Sequence, residues 1–373
     1  MTSVFSHSPS GRRLAARIPA FFLAVLLCFS MAGCAAQSKA AKSSGEDFIR
    51  STDFKLNTVV TITIYDSDDE ELLTKCMSLC DKYEKIFSRT RTDSELYKLN
   101  HRELPRAEGQ ENTYLLSEEL AELLSVGLTY TELSNGAFDV SLAPLTELWD
   151  FTSEDPSVPD DADIQSALSR CGAENVSLNG QKITLPSDDT AFDLGGIAKG
   201  YIADRIKDFL VSEGVKSATV NLGGNVLCIG SKPDGSPFKI GIQKPFADRN
   251  DTADVVEITG RSVVSSGIYE RYFEEDGVLY HHILNPKTGY PCDNGLIAVT
   301  ILSDRSVDGD ALSTACFALG YEKGMEFIES IPDTEAIFIT EDYELHRTFY
   351  KQNDQRISTA YRFSSVRAFS PSG

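Results

Sequence analysis

Polar and apolar positions alternate through LNTVVTITIYDS (56–67), broken at Val59, and predict a strand. The period then lengthens. In DDEELLTKCMSLCDKYEKIFSR, Leu72, Cys76, Leu79, Tyr83 and Ile86 recur at helical spacing. A second helix is predicted from Ser117 to Ser134, with Leu120, Leu123, Leu124 and Leu128 on one face. SNGAFDVSLAPLTELWDF reads as a loop entering a short helix, FTSEDPSVPDDAD as Pro- and Asp-rich punctuation, and ADIQSALSRCG as a third helix.

Short strands are predicted in NVSLNGQKITLP and TAFDLGG, then a helix from about Ile197 to Leu210 that Gly214 stops. Further strand signals lie at 217–229, 237–243, 254–259, 262–266, 278–284 and 295–302; Asp310 to Leu319 is helical and EAIFIT supplies a late strand. Strands and helices mix without a βαβ rhythm, which indicates an α+β fold. The turns DLGG (193–196) and NLGG (221–224), each expected to close a strand, hint at an internal duplication.

The N-terminus departs from this pattern. Arg12, Arg13 and Arg17 precede the apolar run IPAFFLAVLLCFSMAG, which is too short for a good membrane span and has the layout of a secretory signal. SMAGC resembles a bacterial lipobox, with Cys34 as the lipidated first mature residue. The expected organisation is a signal peptide at 1–33, a flexible tether at 34–49, a domain at 50–350 and a partly disordered tail at 351–373. The expected location is extracytoplasmic, lipid-anchored to the cell membrane.

Without residues 1–33, which hold three arginines and no acidic residue, 32 basic residues face 56 acidic ones and the formal charge moves from −21 to −24. Such a surface argues against nucleic acid and against electrostatic adhesion to anionic lipid. An anionic ligand must then be held by local features, and a metal cation would serve. Six cysteines remain beyond Cys28 and Cys34, none in a CxxC or zinc-like spacing.

Four stretches carry candidate chemistry. In FDLGGIAKGYIADRI (192–206), Gly195 and Gly196 precede a helix with Lys199 one turn in, an arrangement suited to an anion. It is neither a P-loop nor a Rossmann fingerprint, and a plain strand–turn–helix junction fits as well. Asp193 would hydrogen-bond a ring N–H of a ligand or cap the helix. In DGDALSTACFALG, Asp310 and Thr314 are four apart on one helical face and offer two hard oxygens to Mg²⁺, or are a cap and a self-bonded threonine. In YHHILNPKTGYP, His281 and His282 point to opposite sides of a strand end, so at most one serves a given site. In NGAFD, Asp139 follows an aromatic in a glycine-containing loop or turn.

Together and in order, IFSRTRTDSELYKLN, GAFDVSLAPLTELW, FDLGGIAKGYIAD, VNLGGNV, SSGIYERYF, HHILNPKTGYP and DALSTACFALG resemble the ApbE-type FAD:protein FMN transferases, a flavin-trafficking lipoprotein family. The resemblance runs from about residue 50 to 340. It implies a T-fold-like α+β domain with internal duplication. FAD would contact Leu56, Ala137, Phe138, Asp139, Asp193, Lys199, Ile283 and Leu284. Mg²⁺, or Mn²⁺, would take the carbonyl of Gly196 and the side chains of Asp310 and Thr314, and His282 would be the general base.

The implied reaction is transfer of FMN from FAD to a threonine of an acceptor protein, releasing AMP. Rnf- and Nqr-type subunits or extracellular electron-transfer proteins are the implied acceptors. The alternatives are an FAD diphosphatase using the same site and a non-catalytic FAD-binding lipoprotein. The chain departs from the family pattern at LNT (56–58), where MGT is usual, at Asn285, where Asp is frequent, and at Gly196, where alanine is frequent.

Overall fold

A computed structural model describes residues 48–248, 251–350 and 356–362. The expected signal peptide, Cys34 and most of the tether lie outside the described residues, as does the expected disorder of the last residues. No helix among the described residues is long and apolar enough to cross a membrane.

The frame is a nine-stranded antiparallel sheet whose spatial order is its chain order. Its strands are β1 (Ile49–Lys55), β2 (Thr58–Ile64), β3 (Ala218–Leu222), β4 (Asn225–Ile229), β5 (Ser262–Gly267), β6 (Leu296–Ser303), β7 (Glu335–Thr340), β8 (Glu344–Tyr350) and β9 (Arg356–Arg362). The sheet therefore continues past residue 350, the boundary expected from the sequence. Eight helices are described: α1 (Glu70–Phe87), α2 (Glu95–Asn100), α3 (Glu118–Leu133), α4 (Ala143–Trp149), α5 (Asp161–Leu168), α6 (Ala198–Ser212), α7 (Ser306–Leu319) and α8 (Tyr321–Glu329).

The chain leaves the sheet between β2 and β3 to build α1 to α6 and a small three-stranded sheet. It leaves again between β4 and β5 for a ribbon, Phe238–Gln243 with Thr252–Ile258, and between β5 and β6 for a hairpin, Tyr272–Glu275 with Val278–His281. Between β6 and β7 it forms α7 and α8.

Every residue of β6 is buried. On one face Val299 and Ile301 join Leu312, Cys316 and Phe317 of α7; on the other Ala298 and Leu302 join Phe238, Ile242 and Val256 of the ribbon. Burial on both faces is why this strand reads as an almost unbroken apolar run. The largest core cluster sets Val60, Ile62 and Ile64 of β2 against α1, α3 and α6.

The stretch 217–229, predicted as one strand, is the hairpin β3–β4, turned by Gly223 at φ 64° and Gly224 at φ 93°. TAFDLGG, predicted as a strand, is not one, because its backbone groups are taken elsewhere. The side chain of Asn100 donates to the Phe192 carbonyl and accepts from the Phe192 N–H, both at 2.9 Å, and Asp193 N donates to the Val140 carbonyl at 2.8 Å. The two LGG turns thus differ: one follows an irregular segment and opens α6, the other closes a hairpin. The strand at 272–275, the strands β8 and β9 and the helices α2 and α8 carry no signal that was read from the sequence. All six cysteines of the domain are free, and five are buried.

At the β1–β2 turn, Leu56 and Asn57 both take positive φ, 54° and 56°. This is the backbone of a tight two-residue hairpin turn, which Asn tolerates well. Asn57 thus adopts the positive φ that a glycine would take at this position.

Candidate flavin and metal site

Two helices from distant parts of the chain meet at Gly200. A Cβ built there would lie 2.3 Å from the Ser306 carbonyl oxygen, so only glycine allows α6 to approach the start of α7 this closely. The approach brings the Gly200 N–H to Asp310 Oδ2 at 2.5 Å, while Asn225 Nδ2 donates to Asp310 Oδ1 at 3.0 Å. Asp310 is in the body of α7 and 4 % exposed, so it is not a cap. Burial pushes its carboxyl pKa up; Lys199, the Asn225 amide and the Gly200 N–H oppose that shift.

The N-terminus of α7 is capped from α6 instead. Asp204 accepts from the backbone N–H groups of Ser306 at 2.8 Å and Val307 at 3.0 Å. Its carboxyl is pushed up to about 6 by burial, against the pull of those two donors.

One turn beyond Asp310, Thr314 Oγ1 lies 3.3 Å from Ser266 Oγ of β5. A methyl group on Gly196 would lie 3.7 Å from Thr314 Oγ1 and 3.2 Å from the Phe138 ring, so Gly196, Thr314 and Phe138 are immediate neighbours. The three expected metal-site residues are thus brought together by α6 and α7.

Among the described residues no three His, Cys, Asp or Glu side chains cluster to hold a metal. A carbonyl, a hydroxyl and one carboxylate lie outside that pattern, and they suit Mg²⁺, which prefers hard oxygens and keeps waters or phosphate oxygens in its shell. Each Asp310 oxygen accepts one hydrogen bond and retains a lone pair for a cation. The donor set fits Mg²⁺ or Mn²⁺.

Asp193 does not cap α6; Ile197 holds the N-cap position and no side chain bonds there. Its carboxylate organises the turn, with Oδ1 accepting from Gly195 N at 2.8 Å and Oδ2 from Arg89 Nε at 2.9 Å and Thr146 Oγ1 at 2.8 Å. Arg89 reaches Glu147 as well, at 3.8 Å. Arg89 and Thr146 were not singled out in the sequence, although both lie inside motifs quoted above. Nothing local marks an arginine that pairs with an aspartate 104 positions away.

The two histidines divide their work. His281 is buried; its Nε2 donates to the Cys292 carbonyl at 2.9 Å and its Nδ1 accepts from Ile283 N at 3.3 Å, so both ring nitrogens are committed to the fold. His282 is half-buried, and its Nδ1 faces the Arg271 carbonyl at 3.3 Å. A carbonyl can only accept, so Nδ1 carries the proton and Nε2 is left with its lone pair. Desolvation, then the charge of Arg271, push the His282 pKa down to about 3, and His281 and Lys199 act in the same direction. The ring is therefore neutral in the free protein at physiological pH. Lys199 acts electrostatically on both Asp310 and His282.

Asp139 lines a cleft of about 250 Å³ together with Asn135, Gly136, Glu174 and Lys287. Burial raises its pKa against the pull of the Ser141 hydroxyl and N–H, both 2.7 Å from Oδ1. The cleft joins the Ala137–Asp139 segment to the turn that follows Ile283 and Leu284. Phe138, Ile283 and Leu284 are buried to about 5 % exposure, with their side chains in core clusters. Leu56, at its hairpin tip, packs against the edge of the main core. Asn285 Oδ1 accepts from Lys287 N at 2.9 Å, a turn-forming role that needs no charge.

The fold has counterparts among solved structures. The crystal structure of the ApbE protein from Thermotoga maritima superposes with TM-score 0.70 at 32 % identity, over 79 % of this chain and 94 % of that one. The flavin transferase ApbE from Vibrio cholerae gives TM-score 0.70 at 26 % identity, over 84 % and 96 %. Among curated sequences, a FAD:protein FMN transferase of Klebsiella pneumoniae is 38 % identical, covering 75 % of this chain and 85 % of its own. One of Treponema pallidum is 32 % identical, covering 86 % and 91 %. Residues 56–338 match the ApbE family, and the chain belongs to it.

Proposed function

We propose that this protein transfers FMN from FAD to a threonine hydroxyl of an acceptor protein, with Mg²⁺ or Mn²⁺ bound and AMP released. The observation that carries the reading is the hard-oxygen donor set: Gly196 lies beside Thr314, and Asp310, one turn back on α7, keeps a lone pair on each carboxylate oxygen. The names of the relatives support it: proteins similar over most of this chain are FAD:protein FMN transferases.

The threonine Oγ attacks the FMN-side phosphorus. A new P–O bond forms, the bond to the AMP phosphate breaks, and AMP leaves with that electron pair. His282 Nε2 takes the hydroxyl proton as the new bond forms. Lys199, in the first turn of α6, supplies positive charge to the pyrophosphate, which matters in so acidic a chain. The Gly196 carbonyl, Asp310 and Thr314 would hold the metal, which when bound neutralises negative charge on the pyrophosphate oxygens.

Incubating residues 48–373 with FAD and a threonine-containing acceptor peptide, with and without Mg²⁺, tests this. The expected result is Mg²⁺-dependent gain of one FMN on the peptide with matching AMP. AMP from FAD with every acceptor peptide left unmodified would instead establish the diphosphatase. Tight FAD binding with no AMP under any condition would leave a flavin-binding protein and remove the catalytic assignments.

The reading includes a location. Cys34 carries lipid after signal cleavage and holds the domain on the extracytoplasmic face of the membrane, near acceptors of the Rnf, Nqr or extracellular electron-transfer type. Full-length protein is expected in the membrane fraction and its Cys34→Ser variant in the soluble fraction. An unchanged membrane fraction for the variant would overturn the anchor.

A further inference from the structure

The Asp310 carboxylate ends a one-way chain of hydrogen bonds that begins in the sheet. Ser262 Oγ of β5 donates to Ser306 Oγ at 2.8 Å, Ser306 Oγ donates to Asn225 Oδ1 at 2.6 Å, and Asn225 Nδ2 donates to Asp310 Oδ1 at 3.0 Å. All four side chains are buried. The direction is forced from the far end. An ionised carboxylate only accepts, so Asn225 must turn its NH₂ to Asp310 and its oxygen to Ser306, whose hydroxyl must then donate.

Ser306 and Asp310 are four apart on α7, one helical turn, and a single amide grips both. Asn225 is itself the first residue of β4, immediately after the Gly223–Gly224 turn. The amide therefore fixes the rotation of α7 against the sheet as well as the rotamer of Asp310. Thr314, one turn further along the same helix, is set by the same grip.

We propose that Asn225 is a positioning residue for the metal site, holding the Asp310 carboxylate in the orientation that a cation requires, with Ser306 setting the orientation of the amide. This rests on the reading of Asp310 as a metal ligand given above. It acts through Asp310, and its substitution changes metal affinity before anything else. Outer groups that orient a ligand are typically worth 10–100-fold in metal affinity.

The test titrates Mn²⁺ into the purified protein with saturating FAD and no acceptor, reading free Mn²⁺ by its electron paramagnetic resonance signal. Asn225→Ala is expected to raise the Mn²⁺ dissociation constant by about 10–100-fold, and to raise the KM for Mg²⁺ in transfer while leaving the KM for FAD unchanged. Ser306→Ala keeps the amide and its backbone bond to Asp204, and is expected to give a smaller rise in the same direction.

A folded Asn225→Ala protein with wild-type Mn²⁺ affinity overturns the inference, even if its melting temperature has dropped. If Asn225→Ala does not fold, wild-type affinity in Ser306→Ala overturns it. Wild-type protein that binds no Mn²⁺ overturns the metal assignment itself, and this inference with it.

Discussion

Replacing Asp310 with asparagine is expected to lower FMN transfer by about 10³-fold. Metal-assisted stabilisation of phosphoryl transfer is worth several kcal/mol, and each ~1.4 kcal/mol is a factor of ten. Asp310 contributes the one carboxylate among Gly196, Asp310 and Thr314, so its loss removes the charge that attracts the cation. The substitution has a second effect. Both present partners of the carboxylate, Gly200 N–H and Asn225 Nδ2, are donors. An asparagine amide that turns its NH₂ toward the Gly200 N–H leaves that buried donor unpaired at a cost of about 1–3 kcal/mol, and one that turns it toward Asn225 reverses the hydrogen-bond chain through Ser306. Transfer assays and thermal melts of the same preparation separate the two effects. Transfer within tenfold of wild type would remove Asp310 from the metal site.

The second large effect is expected at His282. Loss of a positioned general base typically costs ~10²–10⁴-fold, so His282→Ala should lose transfer by that factor and still bind FAD. Undiminished transfer in the variant would falsify the base assignment.

The pH profile carries a further signature. A base works only when deprotonated, so activity is lost as pH falls through its pKa. In the free protein that pKa is pushed down to about 3, by desolvation and by neighbouring cations. The acid limb of kcat/KM, which reports the free enzyme, therefore lies below the ordinary histidine value of ~6.5. Bound pyrophosphate opposes the charges of Arg271 and Lys199 and raises the imidazole pKa again. The acid limb of kcat, which reports the complex, should then lie at higher pH than that of kcat/KM. An acid limb of kcat/KM at or above that of kcat would contradict this account.

Several parts of this site were legible in the sequence, for identifiable reasons. Helical spacing alone puts Asp310 and Thr314 on one face of a helix, and the structure keeps them there. Strand alternation says that only one of His281 and His282 can serve the site. Which one could not be read locally, because the partner that commits His281 to the fold is the carbonyl of Cys292 across the turn. The resemblance to the family supplied His282, whose Nδ1 alone is engaged among the described residues, by the Arg271 carbonyl.

Asp193 shows the opposite case. Its flanking pattern predicts a strand end and a helix cap, yet Asn100, Arg89 and Thr146 draw the segment away from both. These partners lie between 47 and 104 residues away, and no periodicity encodes them. Asn225 is similar: its grip on α7 exists only after residues 85 apart have met. Short-range order set the helices and the buried strand β6; the polar groups that aim the chemistry are long-range.

The order of the sheet bears on how such a protein can diversify. Neighbouring strands in space are neighbours in the chain, so every excursion departs from one strand and returns on the next. An insertion at the Asp276–Gly277 turn of the hairpin leaves the strand order of the sheet intact, and lengthening a surface turn costs little closure entropy. Helix α7 is tied to the frame separately, through Asn225 and Ser266. Such turns can thus lengthen while the strand order that carries α7 stays unaltered.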